Sequence, residues 1–136
     1  MPRVVIVASS CGGTGSGAVT DNSALVFNRT DSVTVGNAIS GTGAVSTTGG
    51  TLVFTGANSY SGVTSVLSGT LQIGNDGATG TLVPGDVIDN GQLRFDRNGT
   101  LEVPNAIGGT GTLYVDCPIN NGTIVLGGTN TFDGGV

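Results

Sequence analysis

An internal repeat constrains this fold more than any other feature of the sequence. Residues 21–45, DNSALVFNRTDSVTVGNAISGTGAV, align with residues 89–113, DNGQLRFDRNGTLEVPNAIGGTGTL, and 12 of the 25 positions are identical. The alignment resumes at 50–62 and 122–134, after four extra residues. Self-similarity at a fixed period indicates stacked structural units that bury their apolar side chains against one another.

Each repeat contains short apolar clusters bounded by Gly, Asn, Asp or Thr. This pattern indicates β-strands joined by turns, and no stretch has the apolar period of a helix. The clusters are Leu25–Phe27, Val33–Val35, Leu52–Phe54, Val63–Leu67, Leu71–Ile73, Leu93–Phe95, Leu101–Val103 and Ile124–Leu126. Two repeats built from such short strands cannot each close a separate core and remain one domain. We therefore predict an all-β, right-handed parallel β-helix (β-solenoid) of about six short rungs.

The whole chain, residues 1–136, is predicted to be a single β-solenoid. Residues 12–79 form the first repeat unit, and residues 80–136 form a second, incomplete unit. Residues 1–11 would be a first strand or a cap, because their apolar run is too short for a signal peptide. We expect the chain to be a fragment of a longer protein, with terminal coils that expose strand edges and associate or fray.

The composition suits strands and turns and argues against several functions. Glycine supplies 26 of the 136 residues, charged residues make up 10%, and His and Lys are absent. The four arginines cannot form the basic stripe of a nucleic-acid-binding protein, and no apolar run is long enough to span a bilayer. Without His a histidine triad is impossible, and without Lys and with its arginines scattered the chain lacks the cluster of Asp and a basic residue that catalysis on a β-helix would need, so we expect no enzyme activity and no cofactor. Cys11 and Cys117 are too few for a disulfide framework and are expected to be unpaired.

Residues 50–74, GTLVFTGANSYSGVTSVLSGTLQIG, resemble the autotransporter-associated β-strand repeat, also called the passenger-associated transport repeat. The matching positions are Gly50-Thr51-Leu52, Gly56-Ala57-Asn58, Tyr60, Gly62, Thr64 and Gly69-Thr70-Leu71. The second copy has Gly122-Thr123, Gly128-Thr129-Asn130, Phe132 and Gly134. With its flanking segments the resemblance covers residues 12–136, and it implies a right-handed parallel β-helix in the passenger of a type V secreted protein.

From this resemblance we expect a structural stalk segment of a longer exported chain, on the bacterial cell surface or in the extracellular medium. It would stack on neighbouring coils of that chain and support adhesion or aggregation, without binding nucleic acid or spanning the membrane. The alternative is an adhesin module that binds a host or cell-surface glycan or protein. A binding module would carry an exposed aromatic or charged row on one face.

Arg29 and Arg97 are the candidate surface contacts. They occupy matched positions, each close to an acidic residue, Asp31 in the first copy and Asp96 in the second. They could form a charged row that contacts a glycan or protein partner. The structural interpretation is a solvated edge with weak ion pairs.

Two other motifs have both a functional and a structural interpretation. The glycine-rich stretch 12–17 follows an apolar segment, as in a GTP-binding loop, but its match to residues 80–85 favours a corner turn. Asp21-Asn22 and Asp89-Asn90 could bind calcium between coils, whereas Asp at a turn usually accepts a hydrogen bond from nearby backbone.

Matched aromatic residues recur in the two copies. Phe27 matches Phe95, and Tyr60 matches Phe132. We expect these four side chains to be core residues or stacked rows. Asparagines at equivalent positions of successive coils are also expected to stack in one or two rows and to form hydrogen bonds with their neighbours.

Overall fold

Fifteen β-strands make up the computed structural model, which describes residues 4–6, 17–82, 84–116 and 122–136. The strands are short because Gly, Asn and Asp turns interrupt the apolar clusters. Their bounds are β1 (Val4–Ile6), β2 (Val19–Thr20), β3 (Ala24–Asn28), β4 (Ser32–Val35), β5 (Ile39–Ser40), β6 (Ala44–Thr48), β7 (Thr51–Phe54), β8 (Thr64–Val66), β9 (Thr70–Gly77), β10 (Val87–Asp89), β11 (Gln92–Arg97), β12 (Thr100–Val103), β13 (Ile107–Gly108), β14 (Thr112–Val115) and β15 (Thr123–Leu126).

The strands stack in parallel along the sides of a solenoid. The first side is a six-stranded sheet in the order β1-β3-β6-β8-β10-β13, and the second is a five-stranded sheet in the order β4-β7-β9-β11-β14. The third side contains the pairs β2-β5 and β12-β15, with irregular segments between them. Paired residues on adjacent turns lie 19–23 positions apart. The predicted parallel β-solenoid is confirmed. The six strands of the first side enclose about five turns. The right-handed sense of the coil stays a prediction.

The sequence repeat does not correspond to a whole number of turns. The chain passes from side to side in a fixed order, and ten such steps separate β2 from its sequence match β10. One sequence period, from residue 21 to residue 89, therefore spans three and one-third turns. Thus β3 and β6 lie in the six-stranded sheet, whereas their matches β11 and β14 lie in the five-stranded sheet. Equivalent residues of the two copies face different directions.

Inward and outward positions alternate along the strands, and the inward side chains form one continuous core. Burial alternates along β3 and along β6, as expected for strands with one buried face. The inward residues of adjacent turns are in register, so that Leu52, Leu71, Leu93 and Leu113 form a leucine row. Each turn therefore buries its apolar side chains against the turns before and after it.

Aromatic side chains fill the same core. Phe27 and Phe95 are buried, and the rings of Phe27 and Phe54 pack edge to face with centroids 6.2 Å apart. Tyr60 is also fully buried, with its hydroxyl 2.8 Å from Thr64 Oγ1, and burial raises the pKa of Tyr60 to about 12. Phe132, its match in the second copy, is half-buried and packs against the core. The predicted core role of the matched aromatic residues is confirmed.

One corner is longer than its counterparts. β9 and β11 pair in register up to Phe95, and the register then shifts by two residues before Arg97. Asp76 has a φ of 56°, a left-handed backbone conformation that residues other than glycine rarely adopt. We call residues 74–80 the long corner. It carries the backbone from the second side to the third side of the solenoid.

Candidate functional site

In the first copy, the repeat motif joins adjacent turns. Asn58 Oδ1 accepts a hydrogen bond of 3.1 Å from the backbone N–H of Ile39, which lies one turn earlier. Gly56 approaches that turn so closely that a Cβ there would overlap with the carbonyl oxygen of Asn37. Only glycine fits such a contact with neighbouring backbone. The spacing of Gly and Asn in the motif therefore has a structural cause.

The second copy makes the same two contacts. Asn130 Oδ1 accepts a hydrogen bond of 3.1 Å from the N–H of Ile107, and a Cβ on Gly128 would overlap with the carbonyl oxygen of Asn105. The expected asparagine hydrogen bonds between coils are thus present, and these run to backbone groups. Both copies use the motif to hold one turn against the next.

The Asp-Asn motifs form corners that bond their own backbone. Asp21 Oδ1 accepts a hydrogen bond of 3.0 Å from Ser23 N–H, and Asp89 Oδ1 accepts one of 3.0 Å from Gly91 N–H. Both carboxyl groups are buried, and burial raises the pKa of Asp89. The described part of the chain contains no group of three or more His, Cys, Asp or Glu residues that could hold a metal ion. The geometry gives the Asp side chains a role in shaping these corners.

Arg29 forms a two-point ion pair at the end of β3. Its Nε donates to Asp31 Oδ1 at 2.7 Å, and its Nη2 donates to Asp31 Oδ2 at 2.8 Å. Arg29 is buried, whereas Asp31 is 53% exposed. The hydrogen bond from Arg29 lowers the pKa of the Asp31 carboxyl. The pair lies at a partly solvated corner, where such contacts stabilise a fold only weakly.

Arg97 has a different environment at the end of β11. It is buried and donates hydrogen bonds to the backbone carbonyls of Ala78 and Gly80. Burial lowers the pKa of its guanidinium group. Arg97 thereby holds the long corner in place. Since Arg29 follows the first side and Arg97 follows the second, the two do not form a single charged row, and contact of either with a partner stays a prediction.

Asp96, the acidic neighbour of Arg97, also supports the long corner. Its Oδ1 accepts a hydrogen bond of 3.2 Å from Asp76 N–H, and its Oδ2 lies 3.3 Å from Gln72 Nε2. Gln72 Nε2 also donates a hydrogen bond of 2.9 Å to the carbonyl oxygen of Gly74. Burial raises the pKa of Asp96. No sequence motif signals this network, because Gln72 and Asp96 meet only when adjacent turns stack.

A shallow open pocket lies on the outward surface of the second side. It is lined by Gln92, Arg94, Tyr114 and Asp116 and has a volume of about 260 Å³. Arg94 and Tyr114 are paired outward residues of β11 and β14, and the guanidinium carbon lies 5.8 Å from the centre of the tyrosine ring. Arg94 also donates from Nη2 to Asp116 Oδ2 in an ion pair. Tyr114 is 51% exposed, so its ring is available to solvent.

The pocket is built from outward residues that differ between the two copies. When the 68-residue offset between the copies is continued past the aligned block, as the equivalent pairing of β3 with β6 and of β11 with β14 indicates, its four lining residues correspond to Ala24, Val26, Ser46 and Thr48. The inward neighbours remain apolar in both copies, as in Leu25 and Leu93. Residues shared by the two copies do not point to this pocket, because its lining residues are present in the second copy alone. The sequence signal for this pocket is a difference between the copies: outward positions that are small or apolar in the first copy carry polar or aromatic residues in the second.

Three sequence features fall outside the described residues. These are Cys11, Cys117 and the glycine-rich stretch proposed as a GTP-binding loop, apart from Gly17. The carbonyl of Gly17 accepts a hydrogen bond of 2.5 Å from Asn37 Nδ2 on the next turn. Within the described ranges, no helix is long and apolar enough to cross a bilayer.

Comparison with known proteins agrees with this architecture. The family model of the passenger-associated transport repeat matches residues 47–73. The chain is 51% identical over 49 residues to the adhesin BmaC autotransporter of Brucella suis biovar 1 (strain 1330). That alignment covers 36% of this chain and 1% of the adhesin, so the chain spans a very small part of its relative. No solved structure matches the chain. The resemblance seen in residues 50–74 is confirmed: the chain contains a passenger-associated transport repeat and is similar to part of an autotransporter adhesin.

Proposed function

We propose that the chain is a structural stalk segment of an autotransporter passenger. One observation carries this proposal: the repeat motif is committed to contacts between turns. Asn58 and Gly56 join their turn to the preceding one, and Asn130 and Gly128 do the same in the second copy. A motif used in this way specifies a rod that can be lengthened by adding copies.

The proposed location is the bacterial surface or the extracellular medium, as part of a longer exported chain. The similarity to an autotransporter adhesin supports both this location and a supporting role in adhesion. We propose no catalytic role, because the buried polar groups that the structure describes at Asp21, Asp89 and Arg97 bond to backbone and shape corners. The stalk would hold a functional region of the longer chain away from the cell.

The length of the molecule tests the stalk role. One additional copy of the segment 21–88, inserted after residue 88, is one full sequence period and adds three and one-third turns. Because adjacent turns are separated by about 4.8 Å, the maximum dimension should increase by about 16 Å in small-angle X-ray scattering. A Gly/Ser linker of the same length, inserted at the same place, should instead give a broad, flexible tail. A repeat insertion that leaves the long dimension unchanged would contradict the stalk proposal.

Antibody labelling of intact cells tests the location. The longer parent protein, carrying an epitope tag in an exposed turn such as that at Thr110, should be labelled without permeabilising the cells. A tagged cytoplasmic protein serves as the control for cell integrity. Labelling that requires permeabilisation would rule out surface exposure.

A further inference from the structure

We propose that the pocket lined by Gln92, Arg94, Tyr114 and Asp116 binds a neutral saccharide. The inference rests on the proposed surface function, since only an exposed stalk would meet glycans. It goes beyond that function by assigning a ligand class to particular residues. The pocket lies on the outward face of β11 and β14, and its lining side chains do not pack in the core.

Tyr114 supplies the apolar contact. The ring is 51% exposed and lies beside an open pocket. A pyranose ring presents C–H groups on one face and hydroxyl groups around its edge, and the C–H face packs favourably on the electron-rich face of an aromatic ring. Tyr114 can thus provide the platform, while the polar lining of the pocket meets the hydroxyl groups.

The remaining three side chains offer the complementary hydrogen-bonding groups. Asp116 accepts from hydroxyl groups, Arg94 donates to them, and the Gln92 amide does both. The ion pair with Asp116 and the contact with the Tyr114 ring both restrain Arg94. Since Arg94 and Tyr114 also lie on paired strands, the site is largely ordered before a ligand arrives. Such preorganisation reduces the entropy lost on binding.

The charge of the site favours a neutral ligand. Arg94 and Asp116 form an ion pair, so the four lining residues carry no net charge. The chain as a whole has a net charge of −5, which repels an anionic sugar or a nucleic acid. Arg94, the cation among the four lining residues, is already matched by a carboxylate. A sialylated or sulfated glycan would have to displace Asp116 from Arg94.

The difference between the copies supports a role outside folding. Ala24, Val26, Ser46 and Thr48 occupy the matched positions in the first copy, and β3 and β6 pair there just as β11 and β14 do in the second. The same strand pairing therefore forms without any of the four pocket side chains. Their joint presence in the second copy is not required by the backbone pairing, so these side chains are available for ligand contact.

Tyrosine fluorescence gives a direct test. The chain has no Trp and two Tyr residues, and Tyr60 is fully buried, so a soluble ligand that alters the emission acts through Tyr114. The full chain is titrated with oligosaccharides of glucose, galactose, mannose and N-acetylglucosamine to about 10 mM, a range that detects weak sites. Sialyllactose and heparin oligosaccharides form the anionic arm. We expect a saturable change with at least one neutral saccharide.

Variants that restore the first-copy residue locate the site. Gln92→Ala keeps the Tyr114 signal and should weaken binding about tenfold. Tyr114→Ser, followed on immobilised saccharide because it lacks the fluorophore, should lose binding by at least that factor. Ile88→Ser is the control for Tyr114→Ser: it is not a first-copy residue, but it places the same residue at a site outside the pocket, since Ile88 is 44% exposed and projects outward from another side of the solenoid. Circular dichroism and thermal melting should show that all three variants fold like the parent chain.

Each contrary result has a definite meaning. No response to any neutral saccharide, or a response to the anionic arm alone, overturns the proposal. Binding that survives Tyr114→Ser places the saccharide elsewhere and also overturns it. None of these outcomes affects the rod length measured by scattering, so failure of the saccharide site and failure of the stalk proposal are distinguishable.

Discussion

The two sequence copies are nearly equivalent inside the solenoid and different outside it. Leu25 and Phe27 of the first copy correspond to Leu93 and Phe95 of the second, and all four are buried. Outward, Val26 is replaced by Arg94 and the surface gains a polar pocket. The interior is constrained because each side chain must fit two neighbouring turns at close-packed density. The outward positions meet no such constraint, and the copies diverge there.

Truncation of the matched core aromatic residues tests whether the two interiors are equivalent. Phe27→Ala and Phe95→Ala should each lower the free energy of unfolding by about 3–5 kcal/mol, through lost burial and the cavity left behind. Phe27→Ala should have the somewhat larger effect, because Phe27 also packs edge to face with Phe54. Urea denaturation followed by circular dichroism measures both. A loss below about 1 kcal/mol in only one variant would show that the two interiors are not equivalent.

Substitution of the matched arginines tests whether the corners of the two copies differ in stability. Arg97→Ala should lower the free energy of unfolding by about 2–3 kcal/mol, because it leaves the carbonyls of Ala78 and Gly80 without their buried donor. Arg29→Ala should lower it by less than half as much, since the partner carboxylate of Asp31 is largely solvated. The same denaturation experiment measures both variants. Hydrogen exchange should show faster exchange within the long corner in Arg97→Ala alone.

Lys at each position provides the control. Arg97→Lys keeps the charge but cannot reproduce the two-carbonyl geometry, so it should recover only part of the loss. Arg29→Lys should recover most of the stability that is lost in Arg29→Ala. Equal losses for Arg97→Ala and Arg29→Ala would mean that the corners of the two copies are energetically alike.

The smallest expected effect is a dependence on pH at the second-copy corner. Burial raises the pKa of Asp89 above its unfolded value of 3.8, so the folded state binds the proton more tightly than the unfolded state. The contribution of Asp89 to stability is therefore most favourable at low pH and declines as pH rises through its folded pKa. Asp89→Asn removes this titration. As pH rises from about 3.5, below the unfolded pKa, to about 7, the parent should lose stability relative to Asp89→Asn. The free energy of unfolding of the variant minus that of the parent should therefore become more positive over this range.

Asp31 tests the direction of this effect. The Arg29 hydrogen bond lowers the pKa of Asp31, so its stabilising contribution is lost as pH falls through the folded pKa. Asp31→Asn should therefore change the pH profile in the opposite sense to Asp89→Asn. The same slope for both variants would show that burial does not govern the titration of Asp89.

The strands, the corners and the stacking were predictable from the sequence because they depend on local chemistry. Alternating apolar residues such as Val33 and Val35 face inward, and glycines such as Gly56 lie where backbones meet. The fractional turn number was not predictable, because it depends on the residues spent at every corner, including the two extra residues of the long corner. The pocket was missed for a related reason: Arg94 and Tyr114 are distant in sequence, and only the register of adjacent turns brings them together.

The period of three and one-third turns sets the angular distribution of any group carried by every copy. In a longer array of identical units, a given outward residue would move round the axis by a third of a revolution per copy. It would return to its starting direction after three copies, or ten turns, about 48 Å further along the rod. A flat opposing surface could then engage only every third copy, which lowers the valency of contact with one surface. The same rod could instead bridge partners that approach from three directions.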